Sequence, residues 1–108
     1  MPVYNKLVRD RIPQVIENSG SKFTIRTLEP SELLIEIKNK LFEEVTEFEE
    51  TNNRKEVLEE LADILELIYA ALPIYKSTFE ELENIRILKK EKRGGFEEGI
   101  FLIEVEEE

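Results

Sequence analysis

The apolar residues of this chain fall mostly at helical spacing. Between Pro30 and Thr51 they stand at Leu34, Ile37, Leu41, Val45 and Phe48, steps of three and four that share one face of an α-helix. Pro30 opens that helix, because a first-turn residue has no intrahelical partner for an N–H and proline lacks one anyway. A second periodic stretch runs from about Arg54 to Leu72, with Pro73 near its end. Asn52-Asn53 reads as a tight turn, and so short a link makes the two helices antiparallel neighbours. Residues 67–72 are apolar on every side. A helix that is apolar all round is buried all round, which in a chain this short points to a subunit interface.

The flanking segments are shorter. Residues 3–9 read as an extended arm. Asp10 is placed to cap a short helix reaching about Asn18, with Pro13 in its first turn and Gly20 after its end. Residues 22–28 alternate around Phe23 and Ile25 as a short strand does. Ser77-Thr78-Phe79-Glu80-Glu81 is a capping box for a fourth helix, which stops at Gly94-Gly95. A glycine-flanked loop, residues 94–99, then leads into a strand at 100–103, able to pair with 22–28. The acids at 106–108 read as a frayed end. There is no internal repeat and no domain boundary. The expected fold is mainly α: an antiparallel bundle of about four helices with short terminal strand segments. It forms a single domain over residues 1–108, completed by oligomerisation.

Composition narrows the chemistry. The chain has no cysteine and no histidine, so disulfides, thiolate catalysis, cysteine zinc sites and imidazole chemistry are excluded. A general base must be a carboxylate, a lysine, a tyrosine or metal-bound water. The net charge of −10 disfavours binding to a nucleic-acid polymer. A polyanion would be met through a local basic patch or through metal ions. No apolar run is long enough to span a membrane, and the first residues lack the apolar stretch of a signal peptide. A cytoplasmic protein is expected.

Some acids interrupt faces that should be apolar. Continuing the spacing 34, 37, 41 leads to position 44, which is Glu44. Glu47 lies on the same flank, and on the third helix Glu60 and Asp63 share a flank with Ile64 and Leu67. Each pair is spaced i, i+3, so its carboxylates are neighbours. Both pairs lie at similar distances from the turn, hence at heights matched to within roughly one helical turn, ~5 Å. If the flanks face each other, four carboxylates converge, and either their pKa values rise or a cation neutralises them. An all-oxygen set suits Mg²⁺, with Mn²⁺ as the alternative. Di-iron bundles add Glu-x-x-His motifs, which this chain lacks. Of 23 glutamates and two aspartates, one aspartate, Asp63, stands mid-helix where glutamate is the better helix former. Glu49-Glu50, Glu80-Glu81 and Glu97-Glu98 read as ordinary solvated faces.

Glu43-Glu44-x-x-Glu47, twelve intervening residues, then Glu60-x-x-Asp63 resembles the signature of the all-α nucleoside triphosphate pyrophosphohydrolases. These are the MazG-like proteins, related to dimeric dUTPases and phosphoribosyl-ATP pyrophosphatases. Tyr4-Asn5-Lys6-Leu7-Val8-Arg9-Asp10-x-Ile12-Pro13 resembles the N-terminal signature of a small MazG-like subgroup. Lys92-Arg93-Gly94-Gly95-Phe96-Glu97-x-Gly99-Ile100 resembles its C-terminal signature. The resemblance implies Mg²⁺-dependent hydrolysis of a nucleoside triphosphate to monophosphate and pyrophosphate, in a helical bundle completed by a second subunit. It matches Glu44, Glu47, Glu60 and Asp63 to metal-ligand positions, and Glu43 to a ligand, water-orienting or supporting position.

Metal ions would screen the phosphates and acidify a water, which attacks phosphorus with pyrophosphate leaving in line. Glu47 or Glu43 could orient that water or take its proton. For the phosphates, Arg86, Lys89, Lys90, Lys92 and Arg93 crowd the end of the fourth helix, more cations than offsetting the helix dipole requires. Lys89 and Arg93 are the preferred contacts, with Lys92 beside them, and Lys6 and Arg9 of the arm are second candidates. A homodimer or homotetramer is expected. Two other readings stay open: a non-catalytic helical interaction protein, and a pyrophosphohydrolase of a phosphoribosyl or other non-canonical nucleotide.

Overall fold

The link between the two long helices sets the architecture. In the computed structural model, which describes residues 2–107, helix α2 spans Pro30–Glu50 and α3 spans Arg54–Ala71. A short helix α1, Ile12–Asn18, precedes them, and α4, Phe79–Arg93, follows. The Asn53 side chain accepts hydrogen bonds from the Lys55 and Glu56 amides at 3.0 and 3.3 Å, so two of the donors left over at the start of α3 are satisfied. Thr51 Oγ1 donates to the Glu47 carbonyl at 2.6 Å and closes the last turn of α2. With both ends fixed over three residues, α2 and α3 pack against each other as antiparallel neighbours.

The chain divides into two compact units, Met1–Lys76 and Ser77–Glu108. In the first, Ile37 and Leu67 are the buried apolar residues. The buried line of α2 runs Ile37, Leu41, Glu44, with Leu41 half-buried. Val45 and Phe48, expected on that line, face outward. Successive steps of three and four reach position 44 before 45, and the residue there is charged. The apolar stretch at 67–72 is buried along one side only: Leu67 is inside, whereas Ile68 and Ala70 are exposed. After it, Pro73 lacks the N–H that an α-helix would need. The chain tightens into a 3₁₀ turn, Leu72–Tyr75, and leaves it through Lys76 in the left-handed region at φ 56°.

The second unit contains α4 and the segment after it. Thr78 Oγ1 accepts from the Glu81 amide at 3.1 Å, as a capping box requires. The Glu81 carboxylate, however, takes its bond from Ser77 Oγ at 2.5 Å. Lys90, Lys92 and Arg93 occupy the last turn, where cations offset the helix dipole, and Gly94 ends the helix at φ 84°. No residue of α4 is buried.

Two sequence expectations are corrected. Residues 22–28 and 100–103 form no strand, and none occurs among the described residues. A strand exists by exchanging backbone hydrogen bonds with a neighbour, and alternation of side chains cannot supply that neighbour. Asp10 does not cap α1. The cap position is Arg11 and no side chain bonds the free amides; the Ile12 amide instead donates to the Arg9 carbonyl at 3.0 Å. Among the described residues no helix is long and apolar enough to cross a membrane.

Ile37 is about 1% exposed, so Ile37→Ala removes fully enclosed methyl groups and should cost about 2–4 kcal/mol in urea unfolding. Thr78→Ala should cost about 1 kcal/mol, seen as faster amide exchange in the first turn of α4.

Candidate metal centre

The carboxylates that stand at matched heights on α2 and α3 do meet. Glu43, Glu44 and Glu47 each offer an oxygen within 4.8 Å of the others, and so do Glu44, Glu60 and Asp63. Glu44 belongs to both groups and joins the two helices. It is only 5% exposed, while Glu43, Glu47, Glu60 and Asp63 are half-buried. The acid pairs at 49–50, 80–81 and 97–98 are exposed, as expected of solvated faces.

Burial makes Glu44 the critical member. Its Oε2 is enclosed and has no hydrogen-bond donor, and the same holds for Oε2 of Glu60. Two ionised carboxylates cannot bond each other; one must carry a proton to serve as donor. Burial first, then the hydrogen bonds to Glu60 and Glu47, then the charges of Glu47 and Asp63, push the Glu44 carboxyl up to about 8. For Glu60 the Glu44 hydrogen bond acts downward, but burial, the hydrogen bond and charge of Glu47, and the charge of Asp63 outweigh it, leaving the group raised. At neutral pH the pair therefore holds a proton in a position that asks for positive charge.

Three cations already surround the cluster. Arg9 Nη2 donates to Asp63 Oδ1 at 2.6 Å, and this hydrogen bond foremost holds the guanidinium in its charged form, with Asp63, Glu66 and Glu44 adding through their charge. Lys6 Nζ reaches Glu43 Oε1 at 3.3 Å. Lys40 Nζ lies 3.7 Å from Glu43 Oε2 and 3.8 Å from Glu44 Oε1. Lys40 was not singled out from the sequence; its spacing of three and four from Glu43 and Glu44 was the available signal. The arm candidates Lys6 and Arg9 thus lie against the acids. Lys89, Lys92 and Arg93 belong to the second unit, where they are exposed. Their neighbours Lys90 and Arg86 are paired with Glu97 and Glu83.

Five carboxylates against three cations leave an excess of negative charge around a buried oxygen that lacks a donor. That donor set consists of hard oxygens alone, the kind that Mg²⁺ or Mn²⁺ takes. The residues fit such an ion on the orphaned Glu44 and Glu60 oxygens and on the mutual approach of the carboxylates. Comparison of the chain with family models, with curated proteins and with solved structures finds no match.

The raised Glu44 carboxyl has a consequence for stability. In the unfolded chain it ionises near 4.5, in the fold near 8, so between these values the folded state binds more protons. Its contribution is fully present below about pH 4.5 and is lost as pH rises through 8. In chelator, Glu44→Gln should remove this decline and exceed the native chain in stability at pH 8 by on the order of 1–3 kcal/mol, read from urea unfolding across the range.

Proposed function

We propose that the protein is a Mg²⁺-dependent nucleoside triphosphate pyrophosphohydrolase that releases nucleoside monophosphate and pyrophosphate. The observation that carries this reading is the buried, donor-less oxygen of Glu44 at the junction of two carboxylate groups on facing helices. The reading is supported further by the resemblance of Glu43-Glu44-x-x-Glu47, Glu60-x-x-Asp63 and the two terminal stretches to MazG-like signatures. Glu44, Glu47, Glu60 and Asp63 would hold the metal, Mg²⁺ or Mn²⁺, which when bound screens phosphate charge and acidifies a water.

The protein's own groups do the rest. Glu47 and Glu43 are half-buried at the rim, where either can orient the attacking water or accept its proton. Arg9 and Lys6 bring cationic donors to the same rim, and a guanidinium can grip two phosphate oxygens at once. The site is proposed to work in the cytoplasm on a small nucleotide, with no nucleic-acid polymer or membrane involved.

A homodimer or homotetramer is part of the proposal. Leu58, Leu61, Leu65 and Ile68 step by three and four along α3 and are all exposed, a continuous apolar stripe of the kind that marks an interface. Phe42, Val45 and Phe48 stand exposed on α2. A second copy would cover these positions and complete the bundle. Light scattering should report an oligomer for the native chain, and Leu61→Glu with Leu65→Glu should give a smaller species.

The activity is tested with a panel of canonical, modified and phosphoribosyl-type nucleotides in Mg²⁺, following pyrophosphate release. At least one should turn over, and Glu44→Gln or Asp63→Asn should lower kcat/KM by at least about 100-fold, as expected when a group that stabilises transition-state charge is lost. Absence of turnover across the panel, or full activity in both variants, overturns the reading. Mn²⁺ binding near pH 7 should also displace the Glu44 proton. Calorimetry in buffers of different ionisation enthalpy should count roughly one proton released per site.

A further inference from the structure

Resting on the metal reading above, we propose that the N-terminal arm is a metal-responsive latch. Arg9 and Lys6 act as counter-ions of the acidic cluster in the metal-free protein, and a divalent cation at Asp63 displaces Arg9 and frees it for phosphate.

The cluster is more than a group of surface acids, because Glu44 is about 95% buried and its Oε2 has no donor. Two of the cations on it come from far along the chain. Lys6 is 37 residues from Glu43, and Arg9 is 54 residues from Asp63. One arm therefore contacts both helices of the site, Lys6 the α2 side and Arg9 the α3 side. Asn5 sits just before Lys6 at φ 44°, a left-handed conformation that asparagine tolerates better than most residues. It turns the backbone so that Lys6 points back to Glu43 at 3.3 Å, with Tyr4 6.0 Å beneath its ammonium.

Arg9 occupies a carboxylate that the metal needs. Asp63 offers one oxygen to Arg9 at 2.6 Å, and the same carboxylate forms a ligand group with Glu44 and Glu60. Arg9 cannot give up its proton, so the two cations repel each other at the one Asp63 carboxylate. The side chains of Arg9 and Asp63 are 57% and 37% exposed. Such an ion pair is weak and easily exchanged, whereas a divalent ion among several carboxylates is held far more strongly. The residues around the pairs hold the arm lightly. Leu7 is half-buried, and Val3, Tyr4 and Val8 are exposed. Once its counter-ion role is taken over, the guanidinium is left at the rim released from Asp63. Its fork then matches the oxygens of an incoming phosphate chain. The latch thus offsets part of the site's negative charge before a metal binds and couples metal loading to phosphate capture.

The test compares the full-length native chain with Arg9→Gln, Lys6→Gln and Arg11→Gln at low ionic strength without nucleotide. Mn²⁺ affinity is measured by electron paramagnetic resonance, and amide exchange of residues 3–9 with and without saturating Mn²⁺. Arg11 is exposed and makes no ion pair among the described residues, so Arg11→Gln controls for the loss of a charge. The latch requires Arg9→Gln to bind Mn²⁺ about 3- to 10-fold tighter than the Arg11→Gln control, Lys6→Gln to shift the same way, and exchange in residues 3–9 of the native chain to rise on metal binding. Mn²⁺ binding with no tightening in Arg9→Gln, or with stronger protection of the arm, overturns the latch and leaves the metal site standing. No Mn²⁺ binding in any folded variant overturns the metal site and the latch together.

Discussion

A buried carboxylate without a donor is the constraint around which the first unit is arranged. Glu44 occupies a position that helical spacing reserves for an apolar residue, and its oxygen faces Glu60 across the α2–α3 seam. An ionised carboxylate in such a place is costly unless something positive meets it. A proton does so, and the Glu44 carboxyl rises to about 8 mainly because burial disfavours its charge. A proton satisfies one oxygen pair. A divalent ion would satisfy several at once, which is why the same geometry that raises a pKa also makes a cation site.

The remaining features follow from managing that charge. Lys40 lies along α2 beneath Glu43 and Glu44, and the arm lays Lys6 and Arg9 against opposite sides of the cluster. The arm's contacts are exposed and individually weak, so they offset part of the charge without locking. The apolar side of the unit is arranged differently. Ile37 and Leu67 close the seam, while Leu58, Leu61, Leu65 and Ile68 look outward. The acidic cluster and this exposed apolar stripe lie on the same pair of helices.

Much of this was legible in the residues themselves. Pro30, the Asn52-Asn53 turn, the Thr78 cap and Gly94 each act through local backbone chemistry, so the long helices end within a residue or two of where those signals stand. A short turn forces antiparallel pairing, and pairing places positions equidistant from the turn at one height. Glu44 is therefore matched in height with Glu60 and Asp63 by the residue spacing itself. The segments read as strands failed for the opposite reason: residues 22–28 and 100–103 have the alternation of a strand, yet a strand is completed by a partner that alternation does not specify. Asp10 failed similarly, since the backbone carbonyl of Arg9 took the amide that its side chain was expected to cap.

Periodicity and turn chemistry alone thus indicated the long helices, their antiparallel pairing and the matched heights of Glu44, Glu47, Glu60 and Asp63, because each of these depends on residues close in sequence or related by a fixed helical repeat. The fold decided what periodicity cannot reach: that Val45 and Phe48 turn outward, and that Lys6 and Arg9 return across 37 and 54 residues to meet Glu43 and Asp63. Such contacts depend on how the arm and the helix pair come together in space, and no local propensity encodes a distance between segments so far apart along the chain.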